Sequence, residues 1–351
     1  MAKRKTLVNN FAELVEAGDV EEIKKVFTKC DINAYGGYNK GNALEFLLSD
    51  EMMEWLVEHG ADINYVDDYG YTPLLYHAGH SSAEKQAICL LRLGADIHYT
   101  YKLYQKNALH YAVSAGSLEL VKCLMEAGAD VNARDWNGDT PLESGFSAAR
   151  TFDLIALEPV TKYMLSRGIP VTEKIQEKMK KVAEDIEFRR KDLNPDSVPQ
   201  LDAAMASLYQ LLHMESVSER VEYDGKTSIT VKETTWQKQH GELWDLLVPG
   251  SGHANTVQGE VIRISGRVGY EILDNGGMNW DRDYSKMCQS FLKYMYMGNT
   301  LQKQEYKELK KIIKSIQTVD EEEINRMTEL AVKWVVLNPE RISLERVNYK
   351  R

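Results

Sequence analysis

The sequence predicts a mostly α-helical protein, in which a solenoid of about five repeats precedes a helical domain with one small β-hairpin. The tripeptide Gly-Ala-Asp occurs at residues 60–62, 94–96 and 128–130, and this constant interval of 34 residues is typical of stacked helical hairpins. The period stops after Pro170, whereas apolar residues continue at helical spacing. Because 351 residues exceed one ordinary core, we expect two domains, residues 1–170 and residues 171–351.

The composition favours a protein partner over a nucleic acid. The formal net charge is −10, and phosphate binding requires clustered Lys and Arg, so a basic protein is the expected partner. The alternative is that the chain, like many cytosolic proteins, is acidic for solubility alone. No run of 18 apolar residues occurs and the N-terminus lacks the apolar stretch of a signal peptide, so we expect a cytoplasmic protein without a membrane span. The four cysteines are widely spaced, which predicts neither a disulfide framework nor a metal site, and we expect no cofactor.

Local signals define the boundaries of each repeat. Thr-Pro-Leu at residues 72–74 and 140–142 predicts the start of an inner helix, because Thr can cap a helix and Pro is tolerated in its first turn. The glycine of each Gly-Ala-Asp predicts the end of an outer helix, where a positive φ is needed. Asp67 and Asp135 each stand three residues before a glycine, which suits the turn that opens a unit.

The fourth unit carries a family resemblance. It reads Asn-Ala-Leu-His-Tyr-Ala at 107–112, Leu-Val-Lys-Cys-Leu-Met at 120–125, and Gly-Ala-Asp-Val-Asn-Ala-Arg at 128–134. This resembles an ankyrin repeat nearly position for position. The resemblance implies that the turn tips and the concave inner-helix face bind another protein, and that this part of the chain is not catalytic. It also implies that His110 is structural. We count five units, at 7–34, 42–64, 67–98, 99–132 and 135–168.

The turn tips and inner helices carry many aromatic residues, the types that dominate binding energies at protein interfaces. The alternative for part of this set is that the tyrosines pack on adjacent turns. The predicted partner-binding residues are Tyr69, Tyr71, Tyr76, Tyr101, Lys102, Tyr104, Tyr111, Arg134 and Trp136.

Helices are predicted in the second half near 172–193, 198–214, 234–247, 256–273, 281–297, 302–316 and 321–337. Between the second and third, apolar residues alternate on both sides of Asp224-Gly225, which predicts a β-hairpin at 220–231. Residues 236–267 and 274–281 are similar to a helical extension found after ankyrin repeats in some uncharacterised bacterial proteins. That resemblance implies a bacterial protein but assigns no functional residue.

These observations leave several functions open. The leading interpretation is a protein that binds its partner through the repeats and has no catalytic residue. A more specific version of it is an immunity-type inhibitor of a basic toxin. The alternative is an enzyme whose active site lies in the C-terminal half, where His240 or His253 beside Glu260 could form an acid–base group. The repeats would then recruit the substrate. A third possibility is homo-oligomerisation through exposed tyrosines.

Overall fold

The computed structural model describes residues 2–351 and confirms a mostly α-helical fold with few strands. Helices α1–α9 lie at Phe11–Ala17, Val20–Lys29, Asp50–Glu58, Pro73–Ala78, Glu84–Arg92, Ala108–Ser114, Leu118–Glu126, Pro141–Ala148 and Asp153–Ser166. Helices α10–α16 lie at Glu173–Arg189, Val198–Leu211, Trp236–Leu247, Val257–Leu273, Arg282–Tyr294, Lys303–Lys314 and Glu321–Leu337. Strands β1–β3 lie at Arg4–Thr6, Cys30–Gly36 and Gly41–Asn42.

The chain divides into two compact units. The N-terminal unit comprises residues 2–185 and 194–217, and the C-terminal unit comprises residues 186–193 and 218–351. The divisions therefore fall within α10 and after α11, whereas the sequence analysis placed its domain boundary after residue 170. None of the helices among residues 2–351 is both long and apolar enough to cross a membrane.

Five helical pairs form the repeats of the N-terminal unit. They are α1/α2, a short 3₁₀ turn at Ala43–Glu45 with α3, then α4/α5, α6/α7 and α8/α9. The inner helices α4, α6 and α8 pack in succession, as do the outer helices α3, α5, α7 and α9. Each pair buries its apolar face against the next, which is how modules too small to fold alone reach stability.

The predicted helix boundaries agree with the local geometry. The Thr72 hydroxyl accepts a hydrogen bond from the Leu75 amide at 3.3 Å, and Thr140 forms a capping box with Glu143. The glycines that follow α3, α5 and α7 are Gly60, Gly94 and Gly128, with φ of 92°, 92° and 90°. Only glycine adopts this left-handed conformation at low cost, so the repeated Gly-Ala-Asp marks the ends of α3, α5 and α7.

The sheet at the start of the chain was not predicted. Strand β1 pairs with β2 in parallel, and β2 pairs with β3 antiparallel, over a register that ends at Gly36 opposite Gly41. The strands have three, seven and two residues, which is too short for an apolar alternation to separate them from a loop. The sheet takes the place of the regular opening turn before the second repeat.

The predicted hairpin at 220–231 is wrong. Residues 218–234 contain no strand, although the Asp224-Gly225 turn forms, with Gly225 at φ 75° and the Asp224 carboxylate accepting the Thr227 amide. The two flanking segments bond elsewhere. The Tyr223 amide donates to the carbonyl oxygen of Leu246 at 2.9 Å, and the Ile229 amide donates to that of Pro339 at 2.8 Å. Asp224-Gly225 therefore forms a turn, as its residue types predict. The two flanking segments form hydrogen bonds with other parts of the C-terminal unit instead of with each other.

The core of the C-terminal unit surrounds α13, which packs against α12, α14 and α16. Trp334 of α16 is fully buried and donates its indole N–H to the carbonyl oxygen of Met297 at 3.2 Å. Residues 338–351 form a tail that crosses the first turn of α13. The Val257 amide donates to Ile342, and the Gln258 side chain donates to Asn338 and Glu340.

Candidate functional site

Aspartate-centred turns present the aromatic residues at the repeat tips. One carboxylate oxygen of Asp67 accepts the amides of Tyr69 at 3.0 Å and Tyr71 at 2.7 Å. Asp135 accepts the amides of Asn137 and Asp139 in the same way. Both aspartates are buried, so each turn is fixed from inside while its side chains project outward.

Exposed aromatic rings follow these tips from the second repeat to the fifth. Tyr38 and Tyr69 stack with centroids 5.8 Å apart, and Tyr104 meets Trp136 edge to face at 6.4 Å. Tyr38 is 91% exposed and Trp136 is 63% exposed, values unusual for side chains of this size. We call Tyr38, Tyr69, Tyr76, Tyr104 and Trp136 the aromatic surface.

A second set of tyrosines packs beneath this surface. The rings of Tyr71 and Tyr101 stack at 4.5 Å, and the Tyr111 hydroxyl donates to that of Tyr71 at 3.4 Å. Tyr101 is buried, and burial raises the pKa of the Tyr111 hydroxyl well above its usual range. These three residues link consecutive repeats and support the exposed rings, so part of the predicted set packs on adjacent turns.

The two cations of the predicted set lie in different surroundings. Lys102 is exposed and forms no ion pair with any of residues 2–351. Arg134 donates to the Gly138 carbonyl at 2.9 Å and to the Glu143 carboxylate at 3.0 Å. Arg134 therefore already stabilises the turn and first helix of the fifth repeat.

Sequence reasoning missed Tyr38. It lies four residues before Asn42, whose side chain accepts the Leu44 amide and opens the 3₁₀ turn of the second repeat. Trp136 stands at the same distance before the cap Thr140. Aligning the units on their caps would have identified Tyr38 as a tip residue despite the irregular second repeat.

A groove of about 450 Å³ opens beside the exposed tyrosines. It runs between the tips of the second and third repeats and the inner helix α4. Its lining includes Tyr38, Asn39, Asp67, Tyr69, Tyr76 and Tyr111.

The C-terminal unit has a cavity of about 990 Å³, lined by His253 and by residues 343–350 of the tail. His253 is partly exposed, with its Nδ1 3.3 Å from Glu260 and 2.9 Å from the guanidinium of Arg263. His240 does not line this cavity. Its ring instead contacts the buried Ser265 hydroxyl at 3.0 Å, and burial lowers its pKa.

Glu260 is fully buried and its carboxylate is occupied. It accepts hydrogen bonds from Arg263 at 2.6 and 2.9 Å, from the Tyr349 hydroxyl at 2.6 Å and from the Ala254 amide at 3.0 Å. Burial alone would raise the pKa of Glu260, but these donors outweigh it and lower the pKa. A carboxylate held in this way is a poor proton acceptor, and it joins α13 to the tail and to the 253–254 loop.

Comparison with known families agrees with the geometry of the N-terminal unit. Models described as ankyrin repeats match residues 49–92 (many copies) and residues 80–169 (three copies). Residues 49–169 are ankyrin repeats. Proteins with such repeats generally bind other proteins and are generally not enzymes. No curated protein matches the chain significantly. Within residues 2–351, no group of three or more His, Cys, Asp or Glu side chains is arranged to hold a metal ion.

Proposed function

We propose that this protein binds a partner protein through the aromatic surface and the neighbouring faces of the inner helices. The observation that carries the proposal is the row of exposed rings over four consecutive ankyrin repeats, with Tyr38 and Trp136 near its two ends. Large aromatic side chains lose little conformational entropy on binding and supply most of the energy of protein interfaces. Lys102 and Arg134 flank this surface on the turn tips.

The partner's contact surface is basic in this proposal. The chain carries 53 acidic and 43 basic side chains, and opposite potentials speed association and exclude partners of the wrong charge. The finer proposal is an immunity-type inhibitor in the bacterial cytoplasm that masks a basic toxin. Expression of the captured partner alone would then arrest growth, and co-expression of this chain would restore growth. A harmless partner would contradict this finer proposal only.

We expect single substitutions in the aromatic surface to weaken partner capture. Trp136→Ala and Tyr69→Ala should each raise the dissociation constant at least about tenfold, because each removes a large exposed ring from the contact. The measurement is affinity purification with the tagged full-length chain, followed by surface plasmon resonance on the recovered partner.

The matched control is Tyr270→Ala, since Tyr270 is 65% exposed on the C-terminal unit. Its affinity should equal that of the wild type. Capture that is insensitive to Trp136→Ala and Tyr69→Ala but lost in Tyr270→Ala would assign binding to the other unit. Self-association through the same rings would appear as a second copy of the chain in light scattering.

A second candidate function is an enzyme with its active site in the C-terminal unit, favoured by the cavity beside His253. In this alternative His253 transfers protons and the ankyrin repeats recruit a protein substrate. Incubation of the purified chain with the captured partner, followed by mass spectrometry, tests it. The enzyme hypothesis requires a modified partner with wild-type protein and an unmodified one with His253→Ala, whereas pure binding predicts no modification with either.

A further inference from the structure

The groove beside Tyr38 and Tyr69 is lined by the carboxylate of Asp67, and a second buried carboxyl group, that of Glu45, lies close to it. Asn39 donates its side-chain amide to Glu45 at 2.5 Å and to Asp67 at 2.9 Å. Asn39 and Asp67 line the groove, and Glu45 is only 7% exposed behind them. The amide group of Asn39 therefore connects Asp67, at the groove wall, to Glu45, which does not line the groove.

No cation among residues 2–351 balances these two carboxyl groups. Neither Glu45 nor Asp67 forms an ion pair with a Lys, Arg or His among residues 2–351, and Lys40, the residue after Asn39, pairs with Asp68. One oxygen of Glu45 is buried without any hydrogen-bond partner. Buried carboxylates in proteins are normally paired with a cation, so this arrangement lacks a partner of positive charge.

The pKa of Glu45 agrees with this lack of a positively charged partner. Burial, followed by the neighbouring charge of Asp67, raises the pKa of Glu45 to about 8. A carboxyl group keeps its proton in this way when no positive charge is near. A cation arriving in the groove would favour the ionised carboxylate.

The remaining walls of the groove are mostly aromatic, with Leu75, Gly79 and His80 beside the tyrosines, and the Nδ1 of His80 is 2.7 Å from the carbonyl oxygen of Tyr76. Tyr38 and Tyr69 stack with an angle of 29° between their rings, and Tyr76 is 37% exposed at the opposite edge. Ring faces attract cations, and the planar guanidinium group of arginine both stacks on rings and donates to carboxylates. A lysine ammonium group offers no stacking surface.

We propose that this groove receives an arginine side chain of the partner protein, with its guanidinium against Tyr38, Tyr69 and Tyr76 and directed at Asp67. The inference rests on the proposed function, because it names the group through which a basic partner is recognised. It adds a specific contact to what would otherwise be general charge attraction.

The test uses small probes and the full-length chain, so it does not depend on identification of the partner. N-acetyl-arginine methylamide is titrated into labelled protein and followed by NMR, beside its uncharged analogue N-acetyl-citrulline methylamide and the lysine derivative. We expect arginine to bind with a dissociation constant on the order of 1 mM, the lysine derivative to bind more weakly, and citrulline at least about tenfold more weakly than arginine.

Variants identify the site. Tyr38→Ala with Tyr69→Ala should weaken arginine binding at least about tenfold, and Glu45→Gln at pH 8.5 should reduce the preference over citrulline, because only the charge of Asp67 then remains. Tyr270→Ala is the matched control and should bind arginine normally, because Tyr270 is exposed and does not line the groove. Tyr38 is almost fully exposed, so its variant should fold.

Equal binding of arginine and citrulline, no arginine binding, or binding unaffected by Tyr38→Ala with Tyr69→Ala would each overturn the inference. Failure to capture a partner, with arginine bound as expected, would instead count against the proposed function. If the chain binds its partner but does not bind arginine, the proposed function stands and the arginine contact is wrong.

Discussion

Arg263→Ala is expected to lower the free energy of unfolding of the C-terminal unit by roughly 3–5 kcal/mol. Arg263 is 1% exposed and forms two hydrogen bonds with the fully buried Glu260. Its removal leaves a buried carboxylate without a compensating charge, and this desolvation cost exceeds the energy of an ordinary hydrogen bond. The substitution also removes the donor to the Arg351 carbonyl, at 2.8 Å, and so loosens the tail.

Urea denaturation with hydrogen exchange in α13 measures this loss. Arg282→Ala is the matched control: Arg282 is an exposed arginine at the start of α14, and its change should stay within about 0.5 kcal/mol. The double variant Glu260→Gln with Arg263→Met should be more stable than Arg263→Ala, because it leaves no unpaired buried charge. A loss below about 1 kcal/mol in Arg263→Ala would show that the pair is dispensable.

The predicted loss of stability distinguishes a structural role of Glu260 from a role as catalytic base. As a catalytic base, Glu260 would need a carboxylate with a free oxygen and access to substrate. The carboxylate is instead enclosed by Arg263, Tyr349 and the Ala254 amide. An enzymatic function of the cavity would therefore depend on His253, which reaches the cavity surface.

The helical fold was predictable because its signals are local and periodic. The 34-residue interval and the Thr-Pro-Leu caps gave the repeats, and apolar spacing predicted all seven helices between residues 172 and 337. The hairpin failed for a non-local reason. Tyr223 bonds to Leu246 and Ile229 bonds to Pro339, and neither partner can be inferred from an alternating pattern around a turn.

The candidate site was predictable in part. Residues at turn tips, such as Tyr69 and Trp136, follow directly from the repeat register. Which tyrosines pack beneath them depends on contacts between successive repeats, as for Tyr71 with Tyr101. Asn39 forms hydrogen bonds with both Glu45 and Asp67, which lie 6 and 28 positions after it. These contacts occur at an irregular repeat, and no spacing in the sequence predicts them.

Asp139→Asn is expected to destabilise the N-terminal unit by about 1–2 kcal/mol at pH 7, because solvent screens part of its ion pairing. Asp139 lies at the end of the turn that carries Trp136, and its carboxylate is bound by Lys174, Lys178 and Ser147. Burial alone would raise the pKa of Asp139, but these donors outweigh it and lower the pKa to about 2. The ion pairs hold α10 against the fifth repeat, so Asp139→Asn should also loosen the Trp136 tip.

The lowered pKa of Asp139 determines how its contribution to stability changes with pH. The folded pKa of Asp139 is below the unfolded value near 3.8, so its stabilisation is complete above that value and is lost as pH falls towards 2. Thermal melts from pH 7 to pH 2 should therefore converge for the wild type and Asp139→Asn as the pH drops.

Asp196→Asn is the control: Asp196 is exposed and its carboxylate has no partner among residues 2–351, so its curve should parallel that of the wild type. A constant gap between the wild type and Asp139→Asn at all pH values would mean that the two lysines do not act through the charge of Asp139. Packing around the turn would then be what positions Trp136.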